Sequence, residues 1–330
     1  MEPSPATSTT VCVTGAGGFL ASWVLKLLLS KDHYVVHGTV RDLRDGKNAH
    51  LKALENAGKR LRLFKADVLD YDSVTSAIAG CDGVFHIASP VTPVPSGLAT
   101  NPEEDVIATA VIGTLNVLKA SYEAKVKRVV VVSSVAAVFN NPNWPKGKPF
   151  NEDSWSDEDC CRKKGEWYSY FFSKTLAERE AFVYAAKTGM DIVTICPALV
   201  IGPLMQPTVP TSIKVFFDIV KGEGETVGNR LEILLDVRDV ANALLLAYET
   251  PEASGRYICS STPRKLCDII NISKSLYPNF TYPQKFLEVE EEDSTTFSSE
   301  KLQKLGWTFR HMEETIRDSF ESYTALGILT

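Results

Sequence analysis

Short apolar runs alternate with segments of helical period along most of this 330-residue chain. Val11–Val13, Tyr34–Val40, Gly83–Ile87, Val129–Ser133 and Ile192–Cys196 are mostly apolar, with little polar alternation, and Leu61–Ala66 reads as a further strand. That pattern marks strands covered on both faces, as in a parallel sheet. Between them, Leu20, Trp23, Val24, Leu27 and Leu28 recur at helical spacing. Val74–Ala79 predicts a short helix, Glu104–Lys125 a long one, and Tyr170 opens another that runs through Glu178. Strand and helix in turn predict an α/β chain built on a doubly wound parallel sheet. Past Ile201 the rhythm changes. Ser212–Val220 reads as a short aromatic helix and Asp236–Glu249 as a helix with Asp236 and Asp239 as its cap. Phe286–Glu292 reads as an acidic strand and loop, and Ser298–Leu305 and Met312–Leu326 as helices. No internal repeat appears. The expected division is a frayed tail (1–10), a sheet domain (11–200, with 232–262 packing back on it), and a smaller α/β lobe (201–231 and 263–330).

The first strand meets the first helix in Thr14-Gly15-Ala16-Gly17-Gly18-Phe19-Leu20. Glycines let the backbone turn tightly and approach a pyrophosphate, which rests on the free N–H groups of the helix N-terminus. Ala21 takes the third small position of Gly15-x-x-Gly18-x-x-Ala21, where helix and strand pack closely. A glycine turn alone is weak evidence. Strand before and helix after make it a dinucleotide site in a Rossmann-type domain.

Composition narrows the classes. The net charge is −6, and no basic tract stands out, which argues against nucleic acid or an anionic membrane as the main partner. Met1–Thr10 lacks the apolar core of a signal peptide, and Leu20–Leu29 is interrupted by Lys26 and too short to cross a bilayer. Seven cysteines at irregular spacings show no zinc pattern, so no metal is expected, and reduced thiols in a cytoplasmic protein are the simpler reading.

The second strand ends in Thr39-Val40-Arg41, with Arg44 and Lys47 following. A carboxylate here would hold a ribose 2′-hydroxyl; a guanidinium holds a 2′-phosphate. NADPH/NADP+ is therefore the expected cofactor, with Asp42 as a contrary neighbour. Asp67, at the end of the third strand and followed by Val68, is placed to accept from an adenine amino group, a turn cap being the duller alternative. Ala88 and Ser89 end the fourth strand, in which His86 reads as a core histidine, and the stretch to Asn101 with Pro90, Pro93 and Pro95 reads as an ordered flap. Pro197 opens a proline-bounded loop expected near the nicotinamide amide.

Ser133 and Ser134 end the fifth strand, and Tyr170 and Lys174 then fall one helical turn apart on one face. An ammonium within ~4–6 Å of a phenol favours its ionised form, which suits a proton donor, while a Ser hydroxyl holds the substrate carbonyl. A lone Tyr-x-x-x-Lys is usually a surface pair; after a glycine-rich βαβ and a strand-end Ser it points to carbonyl reduction. Tyr168 is excluded, since Phe172 lies four residues on.

Thr14-Gly15-x-x-Gly18, Ser134, Tyr170 and Lys174 resemble the extended short-chain dehydrogenase/reductases. VCVTGAGGFLASW, HGTVRD, GCDGVFHIASPV, SKTLAE and CPALVIGP look more closely like the plant cinnamoyl-CoA and dihydroflavonol reductases, from about Val11 to Leu326. The resemblance implies a triad of Ser134, Tyr170 and Lys174, with Lys174 also on the nicotinamide ribose and Arg41 with Lys47 on the 2′-phosphate. Gly15, Gly17, Gly18, Phe19, Leu20, Asp67, Val68, Ala88, Ser89 and Pro197 complete the expected cofactor contacts, and Phe139, Phe171, Met205 and Phe216 the substrate lining.

The chain departs from both namesakes. Cinnamoyl-CoA reductases carry Asn-Trp-Tyr-Cys-Tyr-Gly-Lys around the catalytic pair; here Tyr168-Ser169-Tyr170-Phe171-Phe172-Ser173-Lys174 keeps only the Tyr and Lys. Their His and Lys, implicated in handling the CoA arm, fall on Val215 and Asp218, and the Asn of dihydroflavonol reductases falls on Phe139. The expected function is NADPH-dependent reduction of an aromatic ketone or aldehyde of phenylpropanoid or flavonoid type, by a monomer or weak dimer. The alternatives are a true cinnamoyl-CoA reductase and an NAD-dependent sugar-nucleotide epimerase, against which Arg41 argues. A non-catalytic dinucleotide sensor is disfavoured by the intact triad.

Overall fold

The computed structural model describes residues 8–90, 103–163, 167–222, 224–289 and 295–329; side chains of 103–105 are not among them. The expected flap before Asn101 lies outside these residues. Six strands, β1 (Thr9–Val13), β2 (Tyr34–Val40), β3 (Leu61–Lys65), β4 (Gly83–His86), β5 (Arg128–Val132) and β6 (Ile192–Pro197), join with Gly255–Cys259 in one sheet. The spatial order is Gly255–Cys259, β6, β5, β4, β1, β2, β3, and every pairing is parallel. Strand order reverses between β1 and β4. A crevice opens outside the carboxyl ends at such a switch point, and ligands of this architecture bind there.

Helices cover both faces, so β4, β6 and most of β2 are buried end to end. On one face α1 (Phe19–Leu29) packs beside the Val237–Glu249 helix through Val24, Leu25, Leu28, Val240 and Leu244. On the other, Val74, Ala77, Ile78, Val117 and Leu118 meet Val84 and Val129. A third core belongs to the distal lobe, where Ile213, Phe216 and Val220 meet Ile269, Ile270, Ile316 and Phe320.

Several elements differ from the sequence reading. β1 begins at Thr9, because Thr9 and Thr10 register with Tyr34 and Val35 and extend the ladder into the expected tail. The helix expected over Glu104–Lys125 is α-helical only over Thr109–Glu123, after a π-helical stretch at Glu103–Ala108; Lys125 leaves it at φ +57°. Leu199–Ile201, expected as loop, is a short strand paired with Leu234–Asp236. The Ser298–Leu305 helix shrinks to Glu300–Gln303, and a helix at Leu266–Leu276 and the Gly255–Cys259 strand were not foreseen. Lys285–Leu287 is a strand, paired with Thr226–Gly228. Asp236 caps its helix, accepting from Arg238 N at 2.8 Å. Asp239 does not cap: it is buried, ion-paired with Arg310, and accepts from Arg310 N at 2.7 Å. It ties the helix to the chain leading into Met312–Ala325. Among the described residues no helix is long and apolar enough to cross a membrane, and no His, Cys, Asp and Glu gather as metal ligands do.

Candidate active site

The glycine turn sits at the switch point. Gly15 takes φ +69°, a conformation open to glycine at little cost, and its α-carbon lies against Ala88, whose Cβ would come within 3.1 Å of an added side chain. At Gly17 a Cβ would collide with Asn48 Oδ1. Thr14 locks the two strand ends together: its Oγ1 accepts from Ile87 N and Ala88 N at 3.0 Å and bonds His86 Nδ1 at the same distance. Gly15 N donates to Thr39 Oγ1, and Ala16 N to Thr39 O, fixing the turn to the end of β2. Gly18 is the N-cap of α1 and no side chain caps the helix, so its first N–H groups face the turn. A close backbone cradle at an uncapped helix end fits a pyrophosphate.

Of the expected cofactor residues, Phe19 has its side chain in the distal core and Leu20 packs against both cores, so each offers the turn only its main chain. Arg41 is exposed at the carboxyl end of β2 and makes no ion pair among the described residues. Lys47 is ion-paired with Asp45 at 2.7 Å. Hydrogen bonds from Lys47, aided by the Arg41 charge, hold the Asp45 carboxyl below its ordinary range. Asp67 Oδ1 accepts from Leu69 N at 3.0 Å, so one oxygen is spent on the turn. Val68 O accepts from Asn116 Nδ2, and its side chain faces Gly113. Ser89 and Ala88 border, with His86, Thr114 and Lys174, a small cavity behind the turn. Pro197 is the last residue of β6 and buried.

The residues expected to form the triad come from the segment just after β5 and from the Tyr168–Thr188 helix. The Ser134 hydroxyl is hydrogen-bonded to the Tyr170 phenol and accepts from Ala136 N at 3.1 Å. Ser133, by contrast, donates to Glu178 Oε2 at 2.8 Å and lies on the far side of the strand end. Lys174 Nζ donates to Val132 O at 3.1 Å and is buried. Burial lowers its pKa to about 8, against the opposing pull of Cys196 and Glu178. Burial raises the Tyr170 phenol, and the Ser134 hydrogen bond opposes that. Desolvation thus outweighs the lowering expected from the spacing, and the phenol stays protonated at neutral pH. His86 is buried between Thr14 and Thr114, and burial followed by the Lys174 charge lowers it to about 3. It is a neutral core histidine.

Rings gather beside Tyr170. Trp167 and Phe171 meet it edge to face at 5.9 Å, and Phe139 meets Phe171 at 5.4 Å and Phe297 at 6.1 Å. Phe216, expected to line the substrate site, is fully buried between Phe217 and Phe320. Met205 is partly exposed in the segment leaving Ile201. Val215 is half-buried, and Asp218, Lys214 and Lys221 are exposed on the Thr211–Lys221 helix. Thr14 and Thr39, named only within motifs, and Asn48, Glu178 and Arg256 were given no site role from the sequence. For the first two, a hydroxyl at a strand's carboxyl end was the available signal.

Residues 11–259 match the family model described as the NAD dependent epimerase/dehydratase family. The chain is 44% identical over 321 residues to cinnamoyl-CoA reductase 1 of Petunia hybrida, covering 97% of this chain and 93% of that one. Vestitone reductase from alfalfa superposes with a TM-score of 0.80 at 32% identity, over 97% of this chain and 99% of that one. Yeast methylglyoxal/isovaleraldehyde reductase complexed with NADPH gives 0.80 at 26% identity, over 97% and 100%.

Proposed function

The chain belongs to the NAD dependent epimerase/dehydratase family, and from that footing we propose that it reduces a compact aromatic ketone or aldehyde of phenylpropanoid or flavonoid type. It is an NADP-dependent oxidoreductase acting on a carbonyl, as its similarity to named reductases and to an NADPH-bound one indicates. The observation that carries the substrate proposal is the run of rings that starts with Trp167 and Phe171 against Tyr170 and continues through Phe139 to Phe297. Flat aromatic substrates are held by such surfaces through burial and edge contacts.

Bound NADPH supplies the hydride. The chain's own residues do the rest. The Gly15–Gly18 turn and the N-terminus of α1 receive the pyrophosphate, and Arg41, free of ion pairs among the described residues, reads the 2′-phosphate. Lys47 joins only by leaving Asp45. Ser134 and the Tyr170 phenol hydrogen-bond the substrate carbonyl oxygen. Tyr170, held protonated by burial, gives its proton to that oxygen as the carbonyl carbon is reduced. Lys174 faces the resulting phenolate charge.

Arg41→Ala is expected to weaken NADPH by roughly 1.5–3 kcal/mol, the worth of hydrogen bonds to a charged group. NADH should be almost unaffected. Fluorescence titration with both cofactors checks this; equal weakening would make Arg41 structural.

The substrate proposal is tested by NADPH oxidation with flavanones, dihydroflavonols, hydroxycinnamaldehydes and hydroxycinnamoyl-CoA thioesters. CoA carries several negative charges, which cationic side chains normally meet. The half-buried Val215 and the Asp218 carboxylate offer no such charge, though Lys214 and Lys221 stand nearby. We expect kcat/KM for feruloyl-CoA to fall well below that for the best ketone or aldehyde, and Val215→His with Asp218→Lys to narrow the gap. The relative at 44% identity favours a second reading, reduction of hydroxycinnamoyl-CoA. Feruloyl-CoA emerging as the best substrate would establish that reading instead.

A further inference from the structure

Behind the triad lies a buried ion pair. Glu178 stands one helical turn after Lys174, and its side chain is wholly inaccessible. Arg256, the second residue of the Gly255–Cys259 strand, bonds it twice, Nη2 to Oε2 at 2.7 Å and Nε to Oε1 at 3.1 Å. Glu178 also accepts from Ser133 Oγ at 2.8 Å and Thr194 Oγ1 at 2.6 Å, with Cys196 Sγ at 3.4 Å. Arg256 in turn stacks over Trp155 at 3.8 Å and donates to Ser154 O at 2.5 Å. One carboxylate thus ties the catalytic helix to β5 beside Ser134, to β6, and to the strand next to it.

Burying two charges is costly, and replacing such a pair by apolar residues is often neutral for stability. The pair's effect therefore lies in where it holds the elements rather than in net stability. We propose that Glu178 and Arg256 are positioning residues: the pair fixes the register of the catalytic helix against β5 so that Tyr170 meets Ser134, and its carboxylate keeps Lys174 charged. The inference rests on the roles given above to Tyr170 and Lys174. Glu178 lines the small cavity that Lys174 also borders; both members of the pair act through the residues they hold.

Among the described residues near Lys174, the Tyr170 phenol on the same helix is raised by burial and uncharged at neutral pH. His86 on β4 is neutral, and burial pushes the Cys196 thiol on β6 up to about 12, so it too is neutral in the working range. Glu178 is then the charged neighbour that favours the Lys174 ammonium, and Arg256 is ion-paired with it. Removing the Glu178 charge therefore removes the neighbour that favours the ammonium. Lys174 then loses its proton at lower pH.

The experiment is the pH profile of kcat for Glu178→Gln and Arg256→Lys, beside wild type and Tyr170→Phe. For Glu178→Gln we expect the alkaline limb to move down by about one pH unit. Its kcat at pH 7 should fall about tenfold, as for a slightly misplaced catalytic group, with NADPH affinity within about twofold. Arg256→Lys keeps the charge and should leave the limb in place. Should Glu178→Gln not fold, Glu178→Gln with Arg256→Met removes the orphaned cation, and the limb should still fall, by less. An unmoved limb, with kcat losses matching the unfolded fraction, overturns the proposal while Tyr170→Phe stays inactive. An active Tyr170→Phe instead overturns the proton-donor reading.

Discussion

Tyr170→Phe is expected to lose roughly 10²–10⁴-fold in kcat, the range for a positioned acid, while NADPH binds within about twofold of wild type. The substitution removes one oxygen and leaves the ring. Edge-to-face contacts of that ring with Trp167 and Phe171 survive, so the aromatic surface should stay intact. What disappears is the hydroxyl bonded to Ser134. Burial keeps that phenol protonated at neutral pH, so the acid form needed for donation is the resting form. Steady-state turnover together with a cofactor titration separates the chemistry from binding. Near-wild-type turnover would end the assignment.

The parts of this site legible in the sequence are those written locally. Gly15, Gly17 and Gly18 lie between an apolar run and a helical period, and both neighbours are needed to read them. Tyr170 and Lys174 share a helix face by spacing alone. Choosing Ser134 over Ser133 required the resemblance; the structure brings Ser134 to the phenol because successive residues at a strand end point to opposite sides.

Other features depend on partners distant along the chain. Glu178 and Arg256 are 78 residues apart, and only three apolar residues, Tyr257–Cys259, follow Arg256 to mark its strand. Asn48 follows the charged stretch after β2, and nothing local says that it will sit over Gly17. Phe216 was misplaced for a different reason. Ile213, Phe216 and Val220 recur at helical spacing, so the pattern itself assigned Phe216 to the core, and aromatic character was given too much weight. Asp239 resembled a first-turn cap, but its partner Arg310 is 71 residues further on.

Lys174→Met should cost roughly 10²–10³-fold in kcat, the loss seen when one preorganised electrostatic donor is removed. When Tyr170 gives up its proton, the phenolate left behind sits in surroundings that disfavour negative charge, as the raised pKa of the phenol records. The Ser134 hydroxyl offsets part of that penalty; the remaining cation on the same helix face is Lys174. Its ammonium is itself only partly secured. With a pKa of about 8, it is mostly charged at pH 7 and loses its proton as pH rises through 8. Wild-type kcat/KM, which reports the free enzyme, should therefore decline above an apparent pKa near 8. Lys174→Arg, which cannot be deprotonated in this range, should lack that decline whatever activity it retains. Profiles from pH 6 to about 10 in a constant-ionic-strength buffer check both expectations. A decline that persists unchanged in Lys174→Arg would assign the titration to another group and remove Lys174 as the source of the alkaline limb.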